Sequence, residues 1–296
     1  NTGSQNTFIG GRAGAHGGAG GGNLNVGIGF WSLYATGTDA AQYNTAVGAY
    51  SMENNTSGQQ NTAIGYEALE ENTTGSYNVA IGKNALDAST TGQKNVAIGN
   101  HAGSDLTNGE LNTFVGYEAA ADFSGTGTTA IGGSALRLNT ASNNTAVGRE
   151  AAYSTTSGVI TAIGYRALYL NTTGTNNVAL GYEALYNNTT ASNNTAVGQG
   201  ALIENTTASD NTAVGKDALK LNTTGAQNVA VGKDALYENT TASKNAALGY
   251  KALVNNTTGD SNTAVGFESL RVNTTGERNT GCGIEALELN TTGSYN

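Results

Sequence analysis

Small apolar and polar residues alternate in a short pattern that returns along the whole chain, as in Asn61-Thr62-Ala63-Ile64-Gly65 and Asn211-Thr212-Ala213-Val214-Gly215. The closing glycine recurs in 17 units, with two spacings of 19 residues, then four of 17, three of 16 and seven of 17. A short period over a whole chain predicts stacked identical units rather than one globular core.

Alternation within this pentapeptide predicts a β-strand, with the second and fourth residues on one face and the third on the other. We expect the β-branched and aliphatic residues, such as Thr195 and Val197, to face the core, and Ala196 to face outwards. The outward alanine column, interrupted by Phe8 and Phe114, would then be a long apolar surface that favours an oligomer.

A second short strand is predicted at the Ala-Leu pair, as in Ala184-Leu185. A helix is the rival, because the residues of Tyr-Glu-Ala-Leu-Glu-Glu favour helices, but so short a segment cannot sustain one. The sequence therefore predicts an all-β fold, a parallel β-solenoid (β-roll) of about 17 coils with 16–19-residue repeats. At about 4.8 Å per coil the array would be roughly 80 Å long.

Two regions differ in regularity. Residues 1–43 are predicted to form irregular, glycine-rich coils, and residues 44–296 the regular array, as if cut from a longer fibre. The glycine-rich run at 17–22 lacks the Gly-Lys-Ser/Thr of a phosphate-binding loop, so we interpret it as the edge of a coil.

Two polar features of the pentapeptide predict structural roles. Its asparagine would stack from coil to coil into an amide ladder, and its glycine, present in every unit, would take a positive φ or allow close backbone approach. The residues singled out for these roles are Asn61, Asn78, Asn95, Asn194, Asn211, Asn228, Gly65, Gly82, Gly198 and Gly215.

Composition and charge argue against several classes of binding partner. The chain has no proline, 43 glycines and a net charge of -9 without a basic stripe, which argues against nucleic acid and anionic membranes as partners. There is no apolar run of about 18 residues, so no membrane insertion is expected in this segment. Cys282 takes the place of Val265 and is interpreted as a small buried hydrophobe.

No constellation that supports catalysis, a cofactor or a metal is found. His16 and His101 lie far apart and lack partner ligands at metal spacing. The column of carboxylates two residues after the glycine is interrupted by Arg166 and Lys251, and we interpret it as a solvated face. The chain is therefore not expected to be an enzyme.

Tyrosines follow the glycine in several units and are candidates for surface recognition, because exposed rings can stack on sugars or protein surfaces. Tyrosine also simply suits strands. The Asn-Thr-Thr loops match the N-glycosylation pattern, although asparagine and threonine also form turns. The candidate tyrosines are Tyr66, Tyr117, Tyr165, Tyr182 and Tyr250.

The unit N-[TV]-A-[VI]-G…A-L resembles the left-handed parallel β-roll of trimeric autotransporter adhesin heads, and its N-T-T-G loop resembles the repeats of phage and bacterial tail fibres. The resemblance covers every unit from Asn6 onward, although the unit is longer than the usual adhesin-head repeat. It implies a homotrimer at a cell surface or on a virion, forming the shaft or head of an adhesive fibre. A cell-surface glycan or a protein would be its receptor.

Two other classes remain as alternatives. Ice-binding or other Thr-rich surface-binding solenoids usually carry Thr-x-Thr strands, whereas this strand gives Thr-Ala-Val. A polysaccharide-cleaving β-helix is disfavoured by the uniform coils and by the absence of an acidic cluster that could form an active site.

Overall fold

The computed structural model describes residues 4–15, 22–35 and 41–296, and this part of the chain contains one short strand per coil and no helix. Both His16 and most of the glycine-rich run lie outside the described residues. The strands are β1 (Thr7–Ile9), β2 (Val26–Ile28), β3 (Thr45–Val47), β4 (Thr62–Ile64), β5 (Val79–Ile81), β6 (Val96–Ile98), β7 (Thr113–Val115), β8 (Thr129–Ile131), β9 (Thr145–Val147), β10 (Ile160–Ile163), β11 (Asn177–Leu180), β12 (Thr195–Val197), β13 (Thr212–Val214), β14 (Val229–Val231), β15 (Ala246–Leu248), β16 (Thr263–Val265) and β17 (Thr280–Cys282).

The chain divides into two compact units, Asn1–Val147 and Gly148–Asn296. Within each unit every strand pairs in parallel with the next strand along the chain, from β1 to β9 and from β10 to β17. The register matches the repeat, so that Ala196 pairs with Ala213. The predicted parallel β-solenoid is confirmed, and equivalent residues form columns.

The predicted orientation of the strands is wrong. The third residue of the pentapeptide, such as Ala63 or Ala196, is fully buried, whereas the fourth is partly exposed, as at Ile64 and Val197. Alanine therefore lines the core of each coil, and the threonine and aliphatic residues face outwards. Cys282 is the fourth residue of the last pentapeptide and is exposed, so its interpretation as a buried hydrophobe is also wrong.

The alanine faces inwards because the strand lies opposite a large side chain across a narrow interior. The leucine of the Ala-Leu pair, such as Leu69, is fully buried and shares the narrow interior with the strand alanine. Where Phe114 replaces the alanine, the leucine of the preceding coil is replaced by Gly103, whose Cβ would lie 2.6 Å from the Phe114 ring. At Phe8 the compensating residue is Gly14, which takes the place of the leucine in the same coil and whose Cβ would lie 2.7 Å from the Phe8 ring. In most coils the interior thus holds one large and one small side chain.

The Ala-Leu segment forms turns rather than the predicted second strand. Glu67 and Leu69 have φ angles of 54°, with Ala68 between them, so the chain alternates between left- and right-handed backbone. Their N–H groups donate in opposite directions, from Glu67 to the Ala49 carbonyl at 3.0 Å and from Leu69 to the Ala85 carbonyl at 2.9 Å. These bonds join neighbouring coils and leave no ladder within the segment for a helix.

Each coil turns sharply at the glycine that follows the strand. Gly65 has a φ of 141°, and a Cβ added there would lie 2.4 Å from the Gly82 carbonyl oxygen. Both reasons for a glycine, left-handed backbone and close approach of the next coil, therefore hold at this corner.

Candidate functional site

The outer face of the strands carries two columns, of threonine or valine at the second place and of aliphatic residues at the fourth. Several fourth-place residues retain about two fifths of their surface, for example Ile64 at 39 % and Leu180 at 43 %. We call this fourth-place column the apolar stripe. Its members are Ile9, Ile28, Val47, Ile64, Ile81, Ile98, Val115, Ile131 and Val147 in the first unit, and Ile163, Leu180, Val197, Val214, Val231, Leu248 and Val265 in the second.

In each unit the apolar stripe departs from an ordinary polar surface. Isolated exposed aliphatic residues are normal, but contiguous apolar surface on a soluble monomer usually marks a contact site. The in-register pairing, for instance of Val197 with Val214, places each member directly beside the next. Within each unit the stripe therefore offers a continuous, regular surface for association.

The pentapeptide asparagines form an amide ladder inside each unit. The Asn211 side chain is fully buried. Its Oδ1 accepts the Asn228 backbone N–H at 2.9 Å, and its Nδ2 donates to the Gly225 carbonyl at 2.9 Å. Asn61 makes the same two bonds, to the Asn78 N–H and its own loop. Each amide thus joins its strand to its own loop and to the next coil.

The loop asparagines form a second ladder, which the sequence reasoning missed. In the second unit the Asn222 Nδ2 donates to the Asn205 Oδ1 at 3.0 Å and to the Gly225 carbonyl at 2.9 Å. Asn171 and Asn222 are fully buried. A glycan on such an asparagine would require the nitrogen that makes these bonds, so the geometry argues against glycosylation of the folded loops. The available signal was the repetition of the loop asparagine in every coil from Asn171 to Asn290, which turn formation alone does not require.

Three of the five tyrosines singled out from the sequence stack on a neighbouring aromatic ring. The rings of Tyr165 and Tyr182 are stacked at 5.3 Å, as are those of Tyr250 and Phe267. Arg166 lies 5.0 Å from the centroid of the Tyr165 ring. Stacked rings have neighbours on their faces, so they present edges rather than faces to a sugar.

The two remaining candidates lie in the first unit. Tyr66 meets Tyr50 edge to face at 5.8 Å, with the Lys83 ammonium 5.9 Å from its ring centroid. Tyr117 is exposed, and a hydrogen bond with Glu118 raises the pKa of its hydroxyl. Neither tyrosine lines either of the two recesses described below.

In the second unit acidic side chains pair with basic ones, whereas part of the first unit places acidic side chains beside one another. Lys220 pairs with Asp217 at 3.1 Å. In the first unit, Glu53, Glu70 and Asp87 occupy one place in three successive coils. Burial, followed by repulsion from Glu67, Glu53 and other carboxylates, raises the pKa of Glu70 to about 7. This column stores like-charge repulsion at neutral pH.

Two open recesses break the regular surface of the first unit. One, of about 400 Å³, lies at the edge of the strand face and is lined by Tyr43, Gln60 and Thr62. The other, of about 360 Å³, lies where the loops shorten by one residue and is lined by polar groups, including Asn108 and Glu110. None of these residues was singled out from the sequence.

No group of three His, Cys, Asp or Glu side chains in the described ranges is placed to hold a metal ion. The same part of the chain contains no helix long and apolar enough to cross a membrane. No family model matches the chain, and no curated protein matches its sequence.

Proposed function

We propose that this chain is a structural and adhesive fibre segment, the shaft or head of an extracellular adhesin or phage tail fibre, and that copies associate as a homotrimer through the apolar stripe. The observation that carries the proposal is the stripe itself, repeated in every coil of a regular solenoid. The alanine column, which was expected to make this contact, is buried inside each coil.

The magnitude of burial is sufficient for association. Fully burying an aliphatic side chain is worth about 1.5–3 kcal/mol, so covering the exposed two fifths of Leu180 would contribute about 0.6–1.2 kcal/mol. Summed over a column, contributions of this size compete with an association cost of about 4–15 kcal/mol. Threefold symmetry comes from the resemblance to trimeric adhesin heads, and a closed ring buries every copy of the stripe.

Cysteine cross-linking tests the arrangement. In a Cys282→Ser background, Val197→Cys places a thiol in the stripe, and Thr207→Cys places one on an exposed loop of the same coil. Parallel, in-register copies bring the Val197→Cys thiols together, so mild oxidation should link two of three chains and leave the Thr207→Cys control unlinked. Light scattering should give three times the mass of the chain. A monomeric mass, or equal cross-linking of both variants, would contradict the proposal.

A second candidate, ice binding or attachment to another ordered surface, is favoured by one observation. The second-place threonines face outwards beside the stripe, as Thr195 and Thr212 do beside Val197 and Val214. A flat, regular array of hydroxyl and methyl groups can order water. Thermal hysteresis that is lost in Thr195→Tyr would support this candidate, and its absence in the wild-type chain would exclude it.

A further inference from the structure

The recess at the edge of the strand face differs chemically from the rest of the surface. Tyr43 and Gln60 each lie just before the pentapeptide asparagine in successive coils, and Thr62 is the outward second-place residue beside them. The Gln60 backbone N–H donates to the Gln42 carbonyl at 2.9 Å, which places these residues in neighbouring coils. Because glutamine is smaller than tyrosine, the Tyr43 ring stands above the adjacent Gln60 and bounds a recess of about 400 Å³.

The side chains of this recess are available to a ligand. Tyr43 is 53 % exposed. Within the described chain, no aromatic ring or cation lies against the Tyr43 ring, in contrast to Tyr165 and Tyr250. The Gln60 amide and the Thr62 hydroxyl make no side-chain hydrogen bonds within that same part of the molecule, whereas the buried asparagine amides are committed to ladders. One ring face, one amide and one hydroxyl therefore line the same recess, without partners among the described residues.

We propose that Tyr43, Gln60 and Thr62 form a binding site for the pyranose ring of a neutral carbohydrate. The C–H-rich face of a pyranose packs against a tyrosine ring, which supplies apolar contact. The Gln60 amide supplies both a donor and an acceptor and can engage two neighbouring hydroxyls of the sugar, and Thr62 supplies a third polar contact. The volume is at the lower end of the range for small-molecule sites, which suits one or two sugar rings.

The lining of the recess selects against charged sugars. Tyr43, Gln60 and Thr62 carry no formal charge at neutral pH, so the site offers no partner for a carboxylate or sulfate. This assignment rests on the proposed adhesive function and specifies the class of receptor. It requires only the first unit, so it can be tested independently of the oligomeric state.

Saturation-transfer difference NMR on the full chain provides the test, with methyl glycosides of glucose, galactose, mannose, N-acetylglucosamine and N-acetylneuraminic acid as probes. At least one neutral glycoside should receive saturation on one ring face. Tyr43→Ala should weaken its binding by about tenfold or more, and Tyr43→Phe should retain it. Tyr77→Ala is the matched control, because Tyr77 holds the equivalent place two coils later, is also exposed and does not line the recess.

The alternative outcomes each overturn the assignment. Absence of saturation for every neutral glycoside, preference for the acidic sugar, or equal loss in Tyr43→Ala and Tyr77→Ala would each contradict it. Unchanged far-UV circular dichroism and melting of the variants are expected, because both tyrosines are exposed. A trimer that binds no neutral glycoside refutes this site alone, whereas a sugar-binding monomer refutes only the proposed oligomer.

Discussion

Replacement of Asn211 tests the amide ladder most directly. In Asn211→Ala, the buried backbone N–H of Asn228 loses its acceptor, the Asn211 Oδ1 at 2.9 Å. The Gly225 carbonyl loses one of its two donors but keeps the Asn222 amide at 2.9 Å. An orphaned buried donor costs about 1–3 kcal/mol and a lost hydrogen bond about 0.5–1.5 kcal/mol. The expected destabilisation is therefore about 1.5–4.5 kcal/mol.

Asn211→Asp should destabilise more than alanine does. Its carboxylate can still accept the Asn228 N–H, but the second oxygen would face the Gly225 carbonyl, and a charge would be buried without a partner. Asn187→Ala is the matched control, because the Asn187 amide bonds only to the exposed Glu204 carboxylate. This control should change stability by less than about 0.5 kcal/mol.

Two measurements test whether the hydrogen bonds of Asn211 stabilise the chain. Urea unfolding of the three variants gives the order of stability, and hydrogen exchange reports the Asn228 amide itself. Exchange at Asn228 should accelerate in Asn211→Ala and remain slow in Asn187→Ala. If Asn211→Ala and Asn187→Ala unfold at the same urea concentration and the Asn228 amide stays protected, the hydrogen-bonding account of the ladder fails.

Three further predictions concern the backbone, the charges and the core. Gln227 has a φ of 61°, so Gln227→Gly should relieve left-handed strain and raise stability by about 1 kcal/mol in urea unfolding; a loss of stability would contradict this. Burial and repulsion from other carboxylates raise the pKa of Glu70 from its ordinary 4.5 to about 7. Protonated Glu70 therefore contributes to the free energy of unfolding below about pH 4.5, and this contribution is lost as pH rises through about 7. Thermal unfolding across this range should show that loss in the wild type and a smaller loss in Glu70→Gln, because burial also raises the pKa values of Glu53 and Asp87, which remain in the variant. Phe114→Ala should lower the free energy of unfolding by about 3–5 kcal/mol through the cavity it leaves. Adding Gly103→Leu should recover most of that loss in urea unfolding, and no recovery would show that the two side chains do not share the same space in the core.

The regular spacing of the repeats predicts the solenoid, but it does not predict which face of the strand points into the core. Thr195 and Val197 share one face and Ala196 the other, and alternation alone does not say which face is inside when both are apolar. The sequence does indicate that the third residue faces the core, because a glycine replaces the leucine where phenylalanine replaces the alanine, at Phe114 with Gly103 and at Phe8 with Gly14. Only the folded chain shows that the residues of each pair are in contact.

Other features lay beyond sequence reasoning for different reasons. Leucine at the place of Leu69 gives no sign of a left-handed backbone, because that conformation is imposed by bonds to the coils on either side. The asparagine ladder was predictable from repetition at a buried strand end. The recess at Tyr43 was not, because it depends on the smaller Gln60 in the next coil rather than on a motif.

The asparagine ladder has a consequence for how such a chain can change its length. Every pentapeptide asparagine in the regular part of the second unit offers its neighbour the same acceptor, so Asn194 binds the Asn211 N–H as Asn211 binds that of Asn228. Removing residues 211–227 would bring Asn194 beside Asn228 with every ladder bond reformed. Recombination between repeated gene segments can therefore add or delete whole coils without disturbing the remainder, whereas a shift of one or two residues would misalign every column at once.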